Sequence, residues 1–165
     1  MSFTDIVTTT SIVECNLRKM LRKLMPNKFR RYSLEDIPEL KGCGIILCQG
    51  TIFLRIFGRY THVALYCYHY VYESTDGVGV RRIPISEFLS EYVHSYNKFA
   101  IYRFRHDLNI NDLNRVYNHL RGKAYERNGL EFIKSRAHLN TEEDDTSFFC
   151  SEFVARVLQK MGLLS

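Results

Sequence analysis

No stretch of the chain approaches the ~18 consecutive apolar residues that a bilayer-spanning helix requires. Residues 1–10 also lack the charged start and following apolar core of an export signal, so nothing marks the chain for secretion. The five cysteines, Cys15, Cys43, Cys48, Cys67 and Cys150, show no paired spacing. An odd set without a framework suits a reducing compartment in which thiols stay free, and an intracellular, cytoplasmic protein is expected. Internal repeats and linkers are missing too. With 165 residues and 45% hydrophobic content, the chain suffices for one well-buried core and falls short of two. Regular alternation of strand and helix is likewise absent, which excludes a doubly wound parallel sheet and leaves an α+β domain on an antiparallel sheet.

What is present begins with charge. The formal net charge is +5, and residues 1–31 account for it with seven basic residues against Asp5 and Glu14. Val13, Leu17, Met20, Leu21 and Leu24 recur at helical spacing, Arg18, Lys19, Arg22 and Lys23 fall on the opposite face, and Pro26 ends the pattern. Such a basic amphipathic helix suits an anionic membrane surface or an acidic partner, which would make the protein peripheral on a membrane. Packing on the domain with a solvated charged face is the equal alternative. Nucleic acid is disfavoured, since only Phe29 and Tyr32, at the end of the cluster, offer stacking surface. Residues 1–32 therefore form an N-terminal segment and residues 33–165 a single domain.

Residues 44–49 read as a buried strand, residues 51–58 as a short helix closed by Gly58, and residues 61–74 as a hairpin turning near Tyr68. A strand over 79–84 follows the turn at Asp76 and Gly77. Ser86 is expected to cap a helix over 87–96, with a strand over 99–104 next. A helix from about Asn109 to His119 stops before Gly122, and residues 128–137 suggest a further short one. An acidic loop over 140–147 precedes the last helix, about 149–161, whose apolar face repeats at Phe149, Phe153, Val157 and Met161.

Cys150 thus stands in the first turn of a helix, at the positive end of the macrodipole, where a thiolate is favoured. The plain alternative is a small buried hydrophobe. The hairpin adds chemistry. Side chains alternate along each strand, so an even loop near Tyr68 sets His62 and Glu73 on one face. With Cys67 and Tyr68 in the loop they are directly opposed, and with Tyr68 and His69 they are diagonal neighbours. A carboxylate on one imidazole nitrogen fixes the ring and leaves the other nitrogen to serve a nucleophile. An odd loop would separate them, and a surface cross-strand contact is the simpler reading of the spacing.

Three segments then carry a resemblance. Residues 60–66 (YTHVALY), residues 72–88 from Tyr72-Glu73-Ser74-Thr75 to Ile85-Ser86-Glu87-Phe88, and residues 149–154 (FCSEFV) resemble the circularly permuted branch of the NlpC-type papain-like cysteine hydrolases, which includes lecithin retinol acyltransferase-like, bacterial and viral members. The likeness runs from about Lys41 to Met161 and includes Gly122 to Tyr125, similar to a Gly-x-x-Tyr element of that family. The order histidine, polar residue, cysteine is that of the permuted branch. The resemblance implies a papain-like antiparallel sheet with the nucleophile-bearing helix packed against it, Cys150 as nucleophile, His62 as base and Glu73 as third member. It implies no cofactor and no metal. Gly42-Cys43-Gly44 departs from the Gly-Asp that often opens the first core strand, so any contact of that aspartate is in doubt.

The implied chemistry is a thiol-dependent hydrolase or acyltransferase acting on an amide, ester or thioester carbonyl of a lipid or peptide substrate through a thioester acyl-enzyme. The backbone N–H of Cys150 is the natural oxyanion donor, with Tyr60 as candidate for a second. Ser151 and Glu152 suit a helix N-terminus and are read as structural. A catalytically silent papain-like binding module is the rival reading, and a lipid-surface targeting domain acting through the basic helix is a third. Cys43, Cys48, Cys67 and His69 as metal ligands rank low, because their spacing fits no usual zinc site.

Overall fold

A computed structural model describes residues 30–32, 40–50, 61–92, 96–125, 147–148 and 150–164. Along the chain these form β1 (Arg30–Tyr32), β2 (Cys43–Gly50), β3 (His62–Cys67), β4 (Tyr70–Thr75), β5 (Gly79–Pro84), α1 (Ile85–Tyr92), β6 (Tyr96–Arg103), α2 (Ile110–Leu120), β7 (Ala124–Tyr125), β8 (Ser147–Phe148) and α3 (Cys150–Lys160). Six strands make one antiparallel sheet in the order β1-β6-β2-β3-β4-β5, and β7 and β8 form a short parallel pair. The fold is α+β on an antiparallel sheet, as the mixed element pattern predicts. No helix among the described residues is long and apolar enough to cross a membrane.

Helices cover both faces of the sheet, which is why β3 is buried along its whole length and shows no polar alternation. On one face, Ile45, Leu47, Val63, Leu65, Tyr72 and Val80 meet Leu113, Val116 and Leu120 of α2 and Phe153, Val154, Val157 and Leu158 of α3. On the other, Ile46, Ala64, Tyr66, Val71 and Ile83 meet Phe88 of α1, together with Phe99 and Ile101. The four buried side chains of α3 follow its 3.6-residue period, and each contributes roughly 1.5–3 kcal/mol of burial. This stripe holds the N-terminal end of α3, and therefore Cys150, against β3.

Two glycines allow close approaches that matter for the site. A Cβ on Gly44 would stand 1.9 Å from the Tyr102 carbonyl oxygen and 2.7 Å from the Tyr66 ring, so β2 accepts no side chain there. Gly79 has φ +82, and a Cβ on it would lie 2.1 Å from the Lys123 carbonyl oxygen. There the segment before β7 is laced onto β5: Val80 N–H donates to Lys123 O at 2.8 Å, and Gly122 N–H donates to Val80 O at 2.9 Å.

Several expectations need correction. The helix expected over 87–96 runs Ile85–Tyr92, and Tyr96 opens β6 because pairing with β2 claims that segment for the sheet. Ser86 is its second residue and not its cap, because the helix starts one residue earlier, at Ile85, whose N–H donates to the His69 carbonyl at 2.9 Å. β1 takes the last three residues of the segment 1–32 into the sheet by pairing with β6. The cysteines are not all free: Cys43 and Cys67, directly opposed across β2 and β3 with Cα atoms 4.0 Å apart, are joined by a disulfide. Cross-strand opposition brings the two side chains together, which sequence spacing does not reveal. Cys48 and Cys150 are the free thiols among the described residues. The low-ranked metal reading fails on the same ground, because two of its four ligands are bonded to each other and Cys48 packs on the opposite face of the sheet. The basic helix with Arg18, Lys19, Arg22 and Lys23, the expected helices over 51–58 and 128–137, the acidic loop up to residue 146, and Tyr60 lie outside the described residues.

Candidate active site

His62 opens β3, opposite Cys48 of β2. The hairpin that follows has Tyr68 and His69 as its loop, with Tyr68 at φ 54, a conformation usually left to glycine or asparagine. Pairing of Cys67 with Tyr70, Tyr66 with Val71 and Leu65 with Tyr72 sets the register, which makes His62 and Glu73 diagonal neighbours on one face. This is the second of the two even-loop geometries open to the sequence. Their side chains meet: His62 Nε2 lies 2.7 Å from Glu73 Oε2. Both are buried, at 7% and 0% side-chain exposure. A buried carboxylate is costly unless every lone pair is matched, and Glu73 meets that condition. Its Oε1 accepts from Arg81 Nε at 2.8 Å and contacts Arg81 Nη2 at 2.7 Å. Its Oε2 also accepts from the Tyr92 hydroxyl at 3.0 Å, which lies 3.2 Å from Thr75 Oγ1.

The His62 ring is walled by aromatics, with the Tyr92 centroid at 5.3 Å and the Phe88 centroid at 6.5 Å. Its second nitrogen remains for a nucleophile, and Cys150 supplies one. The partly exposed Cys150 begins α3, is hydrogen-bonded to His62, and its sulfur also receives the backbone N–H groups of Val63 and Ser151. Nε2 is the ring nitrogen that meets Glu73. The structure therefore brings His62, Glu73 and Cys150 together from three separate elements.

Electrostatics follow from these contacts. Burial works to raise the Cys150 thiol, but the hydrogen bond and charge of His62, then the N–H groups of Val63 and Ser151, hold it below its ordinary value. Burial likewise works to lower His62, yet Cys150 and Glu73 push it up to about 9. Glu73 is held below its ordinary value: burial opposes this, while His62 and Arg81 outweigh it. The Cys150 and His62 shifts both act in the direction of a thiolate beside an imidazolium. Cys48 behaves oppositely, its thiol raised well above the ordinary range by burial and by the nearby charges of Glu73 and Cys150. It stays protonated and inert. The N–H groups at the start of α3 also offer donors to an oxyanion formed at Cys150.

Residues with no sequence assignment complete the surroundings. Arg81 stands directly opposite Glu73 across β4 and β5, and it also donates from Nη1 to Glu91 Oε1 at 3.1 Å. A charge pair at opposed hairpin positions is the signal that reveals it. Tyr92 is the last residue of α1, and only the packing of that helix brings it to Glu73. Tyr125, singled out only through the Gly122–Tyr125 likeness, pairs with Phe148 just ahead of Cys150. Burial, then the charges of Cys150 and Asp76, push its phenol up to about 12. Compared with family models, with curated proteins and with solved structures, the chain finds no match.

Proposed function

We propose that the chain is a thiol-dependent hydrolase or acyltransferase that attacks an amide, ester or thioester carbonyl through Cys150, His62 and Glu73, in the manner of the permuted NlpC-type papain-like hydrolases it resembles. One observation carries the reading: the thiol at the start of α3 is hydrogen-bonded to an imidazole that also rests, through Nε2, on a buried carboxylate held below its ordinary value. Each part has a task. The Cys150 thiolate forms the C–S bond to the carbonyl carbon, and the oxyanion accepts N–H groups at the start of α3. The His62 imidazolium then gives its proton to the leaving group as the C–N, C–O or C–S bond breaks. In the second half, neutral His62 takes a proton from water or another acceptor, which resolves the thioester and restores the thiolate. Glu73 fixes the orientation of the ring throughout.

A test needs no knowledge of the natural acyl group. Incubation with a p-nitrophenyl ester, followed by acid quench and intact-mass analysis, is expected to yield a single acyl adduct that hydroxylamine removes. The adduct maps to Cys150 and is missing in Cys150→Ser. Acylation spread over Cys48 and surface lysines, or none above the rate of free thiol, would contradict the proposal.

A further inference from the structure

Glu73 is fully buried, and much of what holds it comes from outside the three side chains of the proposed mechanism. Its two oxygens do different work. Oε2 faces His62 and Tyr92, whereas Oε1 is taken by Arg81 through Nε and Nη2, at 2.8 and 2.7 Å. Rotation of the carboxylate that would release His62 must break both Arg81 contacts. Arg81 is itself held from the far side: Nη1 and Nη2 both engage Glu91, a residue of the last turn of α1, and the side chain is 18% exposed. Consecutive residues of one helix end therefore act on the same carboxylate, Tyr92 directly and Glu91 through the guanidinium.

We infer that Arg81 is a positioning residue of the site, its guanidinium fork fixing Oε1 of Glu73 so that Oε2 faces His62, with Glu91 fixing the fork. A planar fork suits this better than an ammonium, because one rigid group satisfies two carboxylates at once. The charges around Glu73 agree with the role. His62 faces it from β3, Arg81 from β5 and Tyr92 from α1, Cys48 senses it from β2, and Cys150 is reached from α3 through His62. Without Arg81, His62 is the sole cation among the described residues in contact with a carboxylate at 0% exposure. The negative charge of Glu73 is then less neutralised, which favours the protonated form of the groups around it, the Cys150 thiol included. Removing one cation from a coupled cluster raises the titration of every acid in it.

As support for catalysis this rests on the proposed role of Cys150, but the claim about Glu73 does not, so two readouts separate them. In a Cys150→Ser background, carbon-13 NMR of the Glu73 carboxyl across pH is expected to show an upward midpoint in Arg81→Met relative to Arg81. In the free-thiol protein, Arg81→Met is expected to move the pH midpoint of iodoacetamide alkylation of Cys150 upward and to slow the reaction by about threefold or more below that midpoint, where each unit of upward shift costs tenfold in thiolate. Arg81→Lys, which keeps the charge and loses the fork, is expected between the two. A folded Arg81→Met with the parental Glu73 midpoint and alkylation profile overturns the inference. Should Arg81→Met fail to fold, Arg81→Lys decides alone, and parental profiles in it overturn the inference equally. A Cys150 that is unreactive in the parent, with the Glu73 shift intact, removes the hydrolase proposal and leaves the positioning role standing.

Discussion

Replacing Glu73 by glutamine changes one charge and almost no volume, and the contacts around it make the consequence calculable. Glutamine offers one acceptor oxygen where Glu73 offers two. Arg81 and protonated His62 both present N–H donors, so the amide NH2 must face one of them, and one buried donor loses its partner. That mismatch costs about 1–3 kcal/mol of stability. The larger effect is on His62. Unit charges about 4 Å apart attract by about 4 kcal/mol at an effective dielectric of ~20, close to three decades in a protonation equilibrium. Relaxation of the surrounding dipoles and entry of water offset part of this, so about one to two decades remain. The imidazolium, which otherwise persists to about pH 9, is then lost nearer neutrality. Cys150 alkylation at pH 7 is expected to fall about tenfold or more in Glu73→Gln, and chemical denaturation to show the stability loss. The assay is iodoacetamide labelling read by peptide mass spectrometry from pH 5 to 10. A Glu73→Gln protein with the parental rate and pH profile would refute the reasoning, because it would mean that the carboxylate does not support the imidazolium.

Acid unfolding gives a second expectation. The folded Glu73 titrates below its ordinary value of 4.5, so its contribution to stability is complete above that pH and is lost as pH falls through the depressed folded value. Glu73→Gln should therefore show a shallower loss of stability in acid than the parent, by urea denaturation at stepped pH, and an equal slope would contradict the assignment. Gly44→Ala tests the fold beneath the site. Its Cβ would meet the Tyr102 carbonyl at 1.9 Å, a backbone atom that is held by β6 and has little freedom to yield, so a loss of about 3 kcal/mol or more, or failure to fold, is expected. Thermal unfolding at the parental midpoint would count against the close approach of β2 and β6.

What is legible in the sequence and what is not divides on physical lines. Period-two alternation and a two-residue loop are local, so the diagonal placement of His62 and Glu73 is one of the two geometries that the residues of the hairpin allow by themselves. The 3.6-residue stripe of Phe153, Val157 and their neighbours likewise places Cys150 at a helix start. The approach of that start to His62 is tertiary, and in the sequence it rests on a family likeness alone. Arg81 is within reach of the same local reasoning, since a turn over Asp76, Gly77 and Val78 pairs Thr75 with Gly79 and hence Glu73 with Arg81, but the turn residues do not fix that register by themselves. Tyr92 leaves no local trace, because its position depends on how α1 lies across the sheet. The Cys43–Cys67 bond depends on the register of β2 against β3, strands separated in sequence by more than a turn. At Tyr96, local propensity extends the helix, while the long ladder with β2 decides for strand.

Most direct is the alkylation rate of Cys150 at pH 7, measured in the parent and in His62→Ala against Cys48 as internal reference. The account predicts fast, selective modification of Cys150 that begins well below the pH of an ordinary thiol, a buried and silent Cys48, and loss of the Cys150 advantage by about tenfold or more once the imidazole is removed. Equal rates at Cys150 in the two proteins would show that residue 62 does not ionise the sulfur, and the proposed chemistry would fall with it.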